Sequence, residues 1–265
     1  MKKITNSLLN GRPLLALVCG LALLAAALPA QEKNLVIDLG GGVNMEFVLI
    51  PAGSFLMGSN TGDNDEKPLH QVVITKAFYM GKYEVTQEQW QALMGNHLNS
   101  FPGPKRPVEQ VSWSDCQEFL ARLKAKTNDL NPRLPTEAQW EYACRAGSLS
   151  IYYFGDNPAE LNRYAWFDKN SNSATHPVGQ KLPNAWGLYD MLGNVYEWCA
   201  DFYGNNYYPS SPAEDPAGPS SGEYRALRGG SWSFYAVNCR SGIRFRNMPT
   251  HRFSNLGFRA VLELK

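Results

Sequence analysis

Glycine and proline punctuate this chain almost throughout: 23 Gly and 17 Pro among 265 residues leave few uninterrupted runs long enough for an extended helix. An all-helical bundle and a coiled coil are therefore poor fits, and short strands and turns are expected instead. Hydrophobic residues make up 44% of the chain and aromatics 12%, with 7 Trp. That is too apolar for a disordered chain and long enough to bury a sizeable core. No repeat, long linker or second composition zone follows residue 30, so one domain is expected over residues 31–265.

Residues 1–30 have a different character. Lys2, Lys3 and Arg12 precede the apolar run LLALVCGLALLAAALPA, and no acid occurs among them. A basic start, a short apolar run and small residues at its end read as a secretory signal peptide. The cut is expected after Ala30, with Ala27 as the alternative, and Pro29 closes the run too early for a membrane span. Export to a secreted or periplasmic location follows. Removing the segment turns a formal net charge of +1 into −2, a balance that suggests neither nucleic acid nor an anionic membrane as partner.

Four cysteines then remain, Cys116, Cys144, Cys199 and Cys239, and no two form a C-x-x-C pair. An even count in an oxidising compartment makes disulfides plausible, with three connectivities open, against buried free thiols. Three helix starts are legible as capping boxes: Thr86 to Gln89 with Val85 and Trp90 as a staple and Gly95 as stop, Ser114 to Gln117, and Thr136 to Gln139. The last puts Trp140, Ala143 and Cys144 on one inward face. Strands are expected at MEFVLI, QVVITKAFYM, ALRGGSW and GFRAVLEL. Residues 148–225 are rich in turns and aromatics and need dense packing or a metal to hold them.

Several reaction classes lack support. The four His (His70, His97, His176, His251) lie far apart, with no H-E-x-x-H, and there is no G-x-S-x-G, Walker loop or G-x-G-x-x-G. Ser231 is a catalytic candidate, but no His is placed beside it in sequence to activate it.

An ordered series of segments is more informative: FVLIPAGSFLMGS (47–59), YEVT (83–86), PVEQVSW (107–113), RLPTEAQWEY (133–142), GLYDMLGNVYEW (187–198), RGGSW (228–232) and NLGFR (255–259). Together they resemble the formylglycine-generating enzyme, or sulfatase-modifying factor, family over about residues 45–261. The resemblance implies an α+β fold, a single irregular domain related to C-type lectins and low in regular secondary structure. Fold alone does not fix function.

The family's enzymes are oxidoreductases that convert a Cys in a C-x-P-x-R segment of a sulfatase to formylglycine, using O2 and a copper ion held by two cysteines. Those cysteines lie three and eight residues after the Ser of Gly-Gly-Ser. Counted from Ser231 without a gap, the first position here is Phe234 and the second is Cys239, whereas anchored on NLGFR with a short deletion Cys239 falls just past both; Cys239 is the other catalytic candidate. Since soft thiolates select Cu(I), one thiolate at most leaves copper unlikely. The family's second calcium site maps onto Asp190, Gly193, Val195 and Glu197, and its first onto Asn162, Arg163, Asn170 and Asn172. A family disulfide implies the pair Cys144–Cys239, with Cys199 competing.

The segment from Trp232 to Phe253 also resembles the variable segment of lectin-fold display proteins, whose aromatic and Arg side chains form a binding surface. Trp232, Phe234, Tyr235, Arg244, Arg246 and His251 are its ligand-binding candidates. The expected function is thus an exported, calcium-stabilised domain that binds a peptide or small ligand, or an oxidoreductase of other chemistry. The alternatives are an active formylglycine-generating oxidase and an interaction subunit of an envelope complex.

Overall fold

The computed structural model describes residues 33–127 and 129–264; the export segment expected over residues 1–30 lies outside them. Strands β1 (Asn34–Gly40) and β2 (Val43–Ile50) form a hairpin whose turn is made by Gly41 and Gly42, both at positive φ. A second hairpin, β3 (Gly53–Met57) with β4 (His70–Ile74), stands apart as its own ladder. Then follow β5 (Phe78–Gly81), α1 (Gln87–Met94), α2 (Trp113–Leu123), β6 (Asn131–Arg133) and α3 (Glu137–Arg145). The chain ends with β7 (Tyr196–Phe202), β8 (Arg225–Arg228), β9 (Phe245–Asn247), β10 (Leu256–Gly257) and β11 (Val261–Glu263). Two sheets organise these strands, one of order β1-β2-β5-β11-β6 and one of order β10-β7-β8-β9. Strand β11 thus slots between β5 and β6, closing the first sheet with the end of the chain. No helix among the described residues is long and apolar enough to cross a membrane.

Local signals place α1 and α3 well. Thr86 caps α1 in a reciprocal box with Gln89, Val85 and Trp90 are both buried, and Gly95 takes φ 87° at the end. The box of α2 lies two residues earlier than expected: Ser112 and Asp115 exchange bonds of 3.2 and 2.8 Å, because an Asp serves the third helical position as a Glu would. The run QVVITKAFYM divides. Asp215 takes the Thr75 amide at 3.0 Å and breaks the strand, sending β4 to its hairpin and β5 to the larger sheet. ALRGGSW ends early because Gly229 and Gly230 turn at φ 99° and 78°. GFRAVLEL crosses from one sheet to the other between Gly257 and Val261.

Helix α3 departs further from expectation. It is buried all round rather than on one face, and its polar residues are paired in the interior. Arg228 donates to Glu141 and to the carbonyls of Ile243, Ser241 and Gly242 at 2.8, 3.1 and 3.2 Å. Arg244 grips both oxygens of Glu137 at 2.7 and 2.8 Å. Arg145 donates to Glu141 at 2.8 Å. Although burial opposes it, the Arg145 and Arg228 charges hold Glu141 below its ordinary carboxylate range. The network ties residues 241–244 to α3 and so fixes the root of the candidate binding segment.

The same interior contains acids with no such partner. Burial, and next the charge of Glu137, pushes Asp201 up to about 7, and burial pushes Glu109 to about 7 as well. The folded state therefore holds protons that the unfolded chain has already released above its ordinary carboxylate pKa. Their contribution is full below about pH 4 and is lost as pH rises through about 7. The melting temperature is expected to be lower at pH 7.5 than at pH 5.5. Asp201→Asn, which keeps an acceptor for the Glu137 amide, should flatten that slope; an unchanged slope would show that Asp201 is ionised at both pH values.

Candidate functional site

The segment that follows β8 starts from a close backbone approach. A Cβ on Gly230 would lie 2.7 Å from the Asn238 carbonyl and 2.8 Å from the Cys239 sulfur, so only glycine lets the chain fold back over Cys239. Asn194 anchors the next residue, its carbonyl accepting from the Trp232 amide at 2.8 Å. The Trp232 indole donates to the Ser254 carbonyl at 3.0 Å and meets Phe101 edge-on at 5.1 Å. Phe234 stands edge-on to Tyr196 at 5.1 Å, and Tyr196 stacks on Phe245 at 5.2 Å. An aromatic surface results, and it continues outward. Tyr235 is 70% exposed, and Val237, Phe245, Met248 and Phe253 are exposed too. Arg246 lies over Tyr203 and Tyr224, and His251 is bonded to Asn247 at 2.6 Å. Between Glu223 and Glu263 the chain carries no acid.

The ligand-binding candidates therefore separate. Tyr235 and Arg246 are exposed, and Trp232, Phe234 and His251 are half-buried beside them. Arg244 is a correction: it is buried, committed to Glu137 and covered by Tyr203 and Tyr208. Ser231 is wholly buried, and its hydroxyl meets only the Ser233 hydroxyl at 3.3 Å, so no base reaches it. Cys239 is buried and burial pushes its thiol up to about 12, the reverse of an activated nucleophile. The expected Cys144–Cys239 bridge is a second correction. All four described cysteines are free and buried. Burial pushes the Cys144 thiol up to about 12 as well.

Of the two positions counted from Ser231, Phe234 presents a hydrocarbon ring edge-on to Tyr196, and Cys239 presents a buried thiol.

Calcium meets two unequal settings. Residues 190–197 form a loop with three left-handed turns, Asp190, Gly193 and Asn194 at φ 54°, 80° and 56°. Asp190 accepts the Gly179 amide at 2.7 Å through Oδ2, while its Oδ1 is buried without a partner. Glu197 is clamped by Arg259, with bonds of 2.7 Å to each oxygen, and its Oε2 also accepts from Trp140. Glu84 lies beside them, accepting from Asn194 and Val195 at 2.6 and 3.1 Å. Burial pushes Asp190 up to about 6, and burial with the Asp190 and Glu197 charges pushes Glu84 well up. Three buried carboxylates thus face one guanidinium, an excess of negative charge. The orphaned Asp190 oxygen and the spare lone pair on Glu197 Oε1 are oxygens of the kind a hard cation takes, while no three metal-ligating side chains converge among the described residues.

The other set fits poorly. Asn170 turns its amide to Asn162 and Ala165 at 3.4 and 2.9 Å, and its oxygen accepts from Phe167. The Arg163 carbonyl is taken by Leu182, and Lys181 donates to the Asn162 carbonyl at 2.6 Å. The side chains close on one another, and a lysine ammonium already serves the carbonyl, so Asn162, Arg163, Asn170 and Asn172 leave no charged oxygen for a cation. Glu84, Arg259 and Phe101 complete the region without having been assigned a role from sequence. Glu84 and Arg259 lie within quoted motifs, YEVT and NLGFR, but nothing in their local pattern marks either as buried.

The model for the sulfatase-modifying factor enzyme 1-like domain matches residues 41–264. The chain belongs to this family. Among its relatives, the formylglycine-generating enzyme of Streptomyces coelicolor is 37% identical over 187 residues, covering 65% of this chain and 57% of that protein. The serine/threonine-protein kinase pkn1 of Chlamydia pneumoniae is 34% identical over 244 residues, and the chain spans only 38% of its length. Two solved members superpose closely. Treponema denticola variable protein 1 gives a TM-score of 0.80 at 33% identity, covering 87% of this chain and 99% of that one. PvdO from Pseudomonas aeruginosa gives 0.78 at 31% identity, covering 89% and 100%. The family fold expected from the motif series is therefore the observed one.

Proposed function

We propose that this chain is an exported member of the family that binds a peptide or small ligand through the surface of residues 232–253 and does not generate formylglycine. The observation that carries this reading is the state of the two thiolate positions: Phe234 occupies one, packed on Tyr196, and the Cys239 thiol at the other is buried and raised to about 12. Exposed rings beside Arg246 supply the recognition chemistry instead, since aromatic and Arg side chains give large, rigid contacts. The basic and apolar residues 1–30 support export. Calcium at Asp190, Gly193, Val195 and Glu197 would hold the loop that anchors Trp232 through Asn194. The similarity to a formylglycine-generating enzyme supports the oxidase as the competing reading.

Incubating the purified protein with copper, reductant, O2 and a C-x-P-x-R peptide distinguishes the two. No aldehyde is expected by mass spectrometry. Conversion of the peptide cysteine to formylglycine, eliminated by Cys239→Ser, would establish the oxidase and overturn the binding-domain reading.

A further inference from the structure

The loop Gly58–Asp63, the turn Leu149–Ile151 and the segment Val237–Gly242 enclose a cavity of about 810 Å³, a size typical of small-ligand sites. Leu56, Leu149, Ile151 and Val237 line it, exposed by 39, 78, 44 and 59%. Eleven large apolar side chains are exposed among the described residues, and four of them border this single cavity.

Beneath that apolar rim the charges are already balanced. Arg240 donates to both oxygens of the buried Glu66 at 2.8 and 2.7 Å. Arg145 pairs with the buried Glu141 and donates to the Gly58 and Ser150 carbonyls, each at 3.0 Å. Two acids are left over at the lip. Asp63 has a side chain 71% exposed and 3.7 Å from Arg240, and Asp156 accepts the Ile151 amide at 2.8 Å through one oxygen. The wall is rigid. A Cβ on Gly62 would fall 2.1 Å from the Glu66 carboxylate, and one on Gly58, at φ 90°, 2.3 Å from the Glu66 carbonyl. The loop is thus moulded onto Glu66, and binding would order little that is not ordered already.

We infer that this cavity binds a peptide segment in which an aliphatic side chain adjoins a Lys or Arg. The aliphatic group covers the exposed Leu149, Ile151 and Val237, and the cation sits between Asp63 and Asp156, where the net charge of the lip is negative. Val237 belongs to both surfaces, while Leu149, Ile151, Asp63 and Asp156 line the cavity alone and lie outside residues 232–253.

Titrating the purified protein with acetyl-Leu-Lys-Leu-amide and its Gln and Glu counterparts, followed by NMR, tests it. The Lys peptide should bind roughly tenfold more tightly than the Glu peptide, with Gln between, and shifts should centre on residues 149–151. Asp63→Asn with Asp156→Asn should bring the three affinities together, the second change keeping the acceptor for Ile151. Leu149→Ser, on an exposed side chain, should weaken all three about fivefold at an unchanged melting temperature. Equal affinity for the three peptides, no binding by any of them, or an unaltered affinity in Leu149→Ser would each overturn the inference.

Discussion

Glu141→Ala is expected to lower the unfolding free energy by about 3–5 kcal/mol, measured by urea denaturation. The loss comes from what is left behind. Arg228 is wholly buried and would lose its closest carboxylate, leaving only the longer 3.5 Å contact with Glu137. Arg145 would lose its partner one helical turn away. The Gly58 amide, which donates to Glu141 at 2.9 Å, would be stranded as well. An unpaired charge in the interior costs far more than the pair contributes, because desolvation is no longer offset. The change should also loosen residues 241–243, whose carbonyls Arg228 holds, so amide exchange there should rise together with the global loss. A loss below about 1 kcal/mol would mean that water reaches Arg228, contrary to its burial.

The second large effect is expected at the other end of α3. Arg259→Met removes the guanidinium that faces Glu84, Asp190 and Glu197, and it frees the Gly81 and Tyr189 carbonyls, which accept from Arg259 at 2.9 and 3.0 Å. A loss of about 3–5 kcal/mol is again expected, and here it separates two accounts of the cluster. If calcium binds at Asp190 and Glu197, it should raise the melting temperature of Arg259→Met more than that of the unaltered protein, since it then meets a full excess of charge. Chelation should lower the melting temperature of the unaltered protein, and Glu197→Ala should remove that dependence. Identical melting curves with calcium and with chelator, in both proteins, would show that Arg259 alone balances the cluster.

These two sites also show how far the sequence reaches. The capping boxes of α1 and α3 lie within four residues of chain, and a signal so local survives any tertiary context that does not oppose it. The box of α2 shows the margin: it was expected from Ser114, and the helix is capped two residues earlier by Ser112, where Asp115 closes the reciprocal bond. Gly229 and Gly230 take positive φ, and the missing Cβ of Gly230 lets the chain pass Cys239, both properties of the residue itself. The ordered motifs determined the family, because position in a motif is a property of sequence.

Burial is not such a property. Arg244 and Arg246 are two residues apart in one basic, aromatic stretch, yet Arg244 pairs with Glu137 inside the protein and Arg246 faces solvent. Residues two apart in a strand share a face, so alternation does not separate them; Arg244 precedes β9 and is taken by Glu137 of α3, whereas Arg246 within β9 lies over Tyr203 and Tyr224. Glu84, the loop carrying Asp190 and Glu197, and Arg259 are three distant segments of the chain, and only the tertiary fold brings them together. The cavity lined by Leu149 and Val237 is likewise a product of three loops that share no sequence signal. What the sequence determined by itself was set by neighbours a few bonds away: helix starts, glycine turns and the family motifs. Which charges are desolvated, which thiols stay apart and which apolar side chains remain uncovered was decided by the tertiary structure, because those depend on what packs against each residue from elsewhere in the chain.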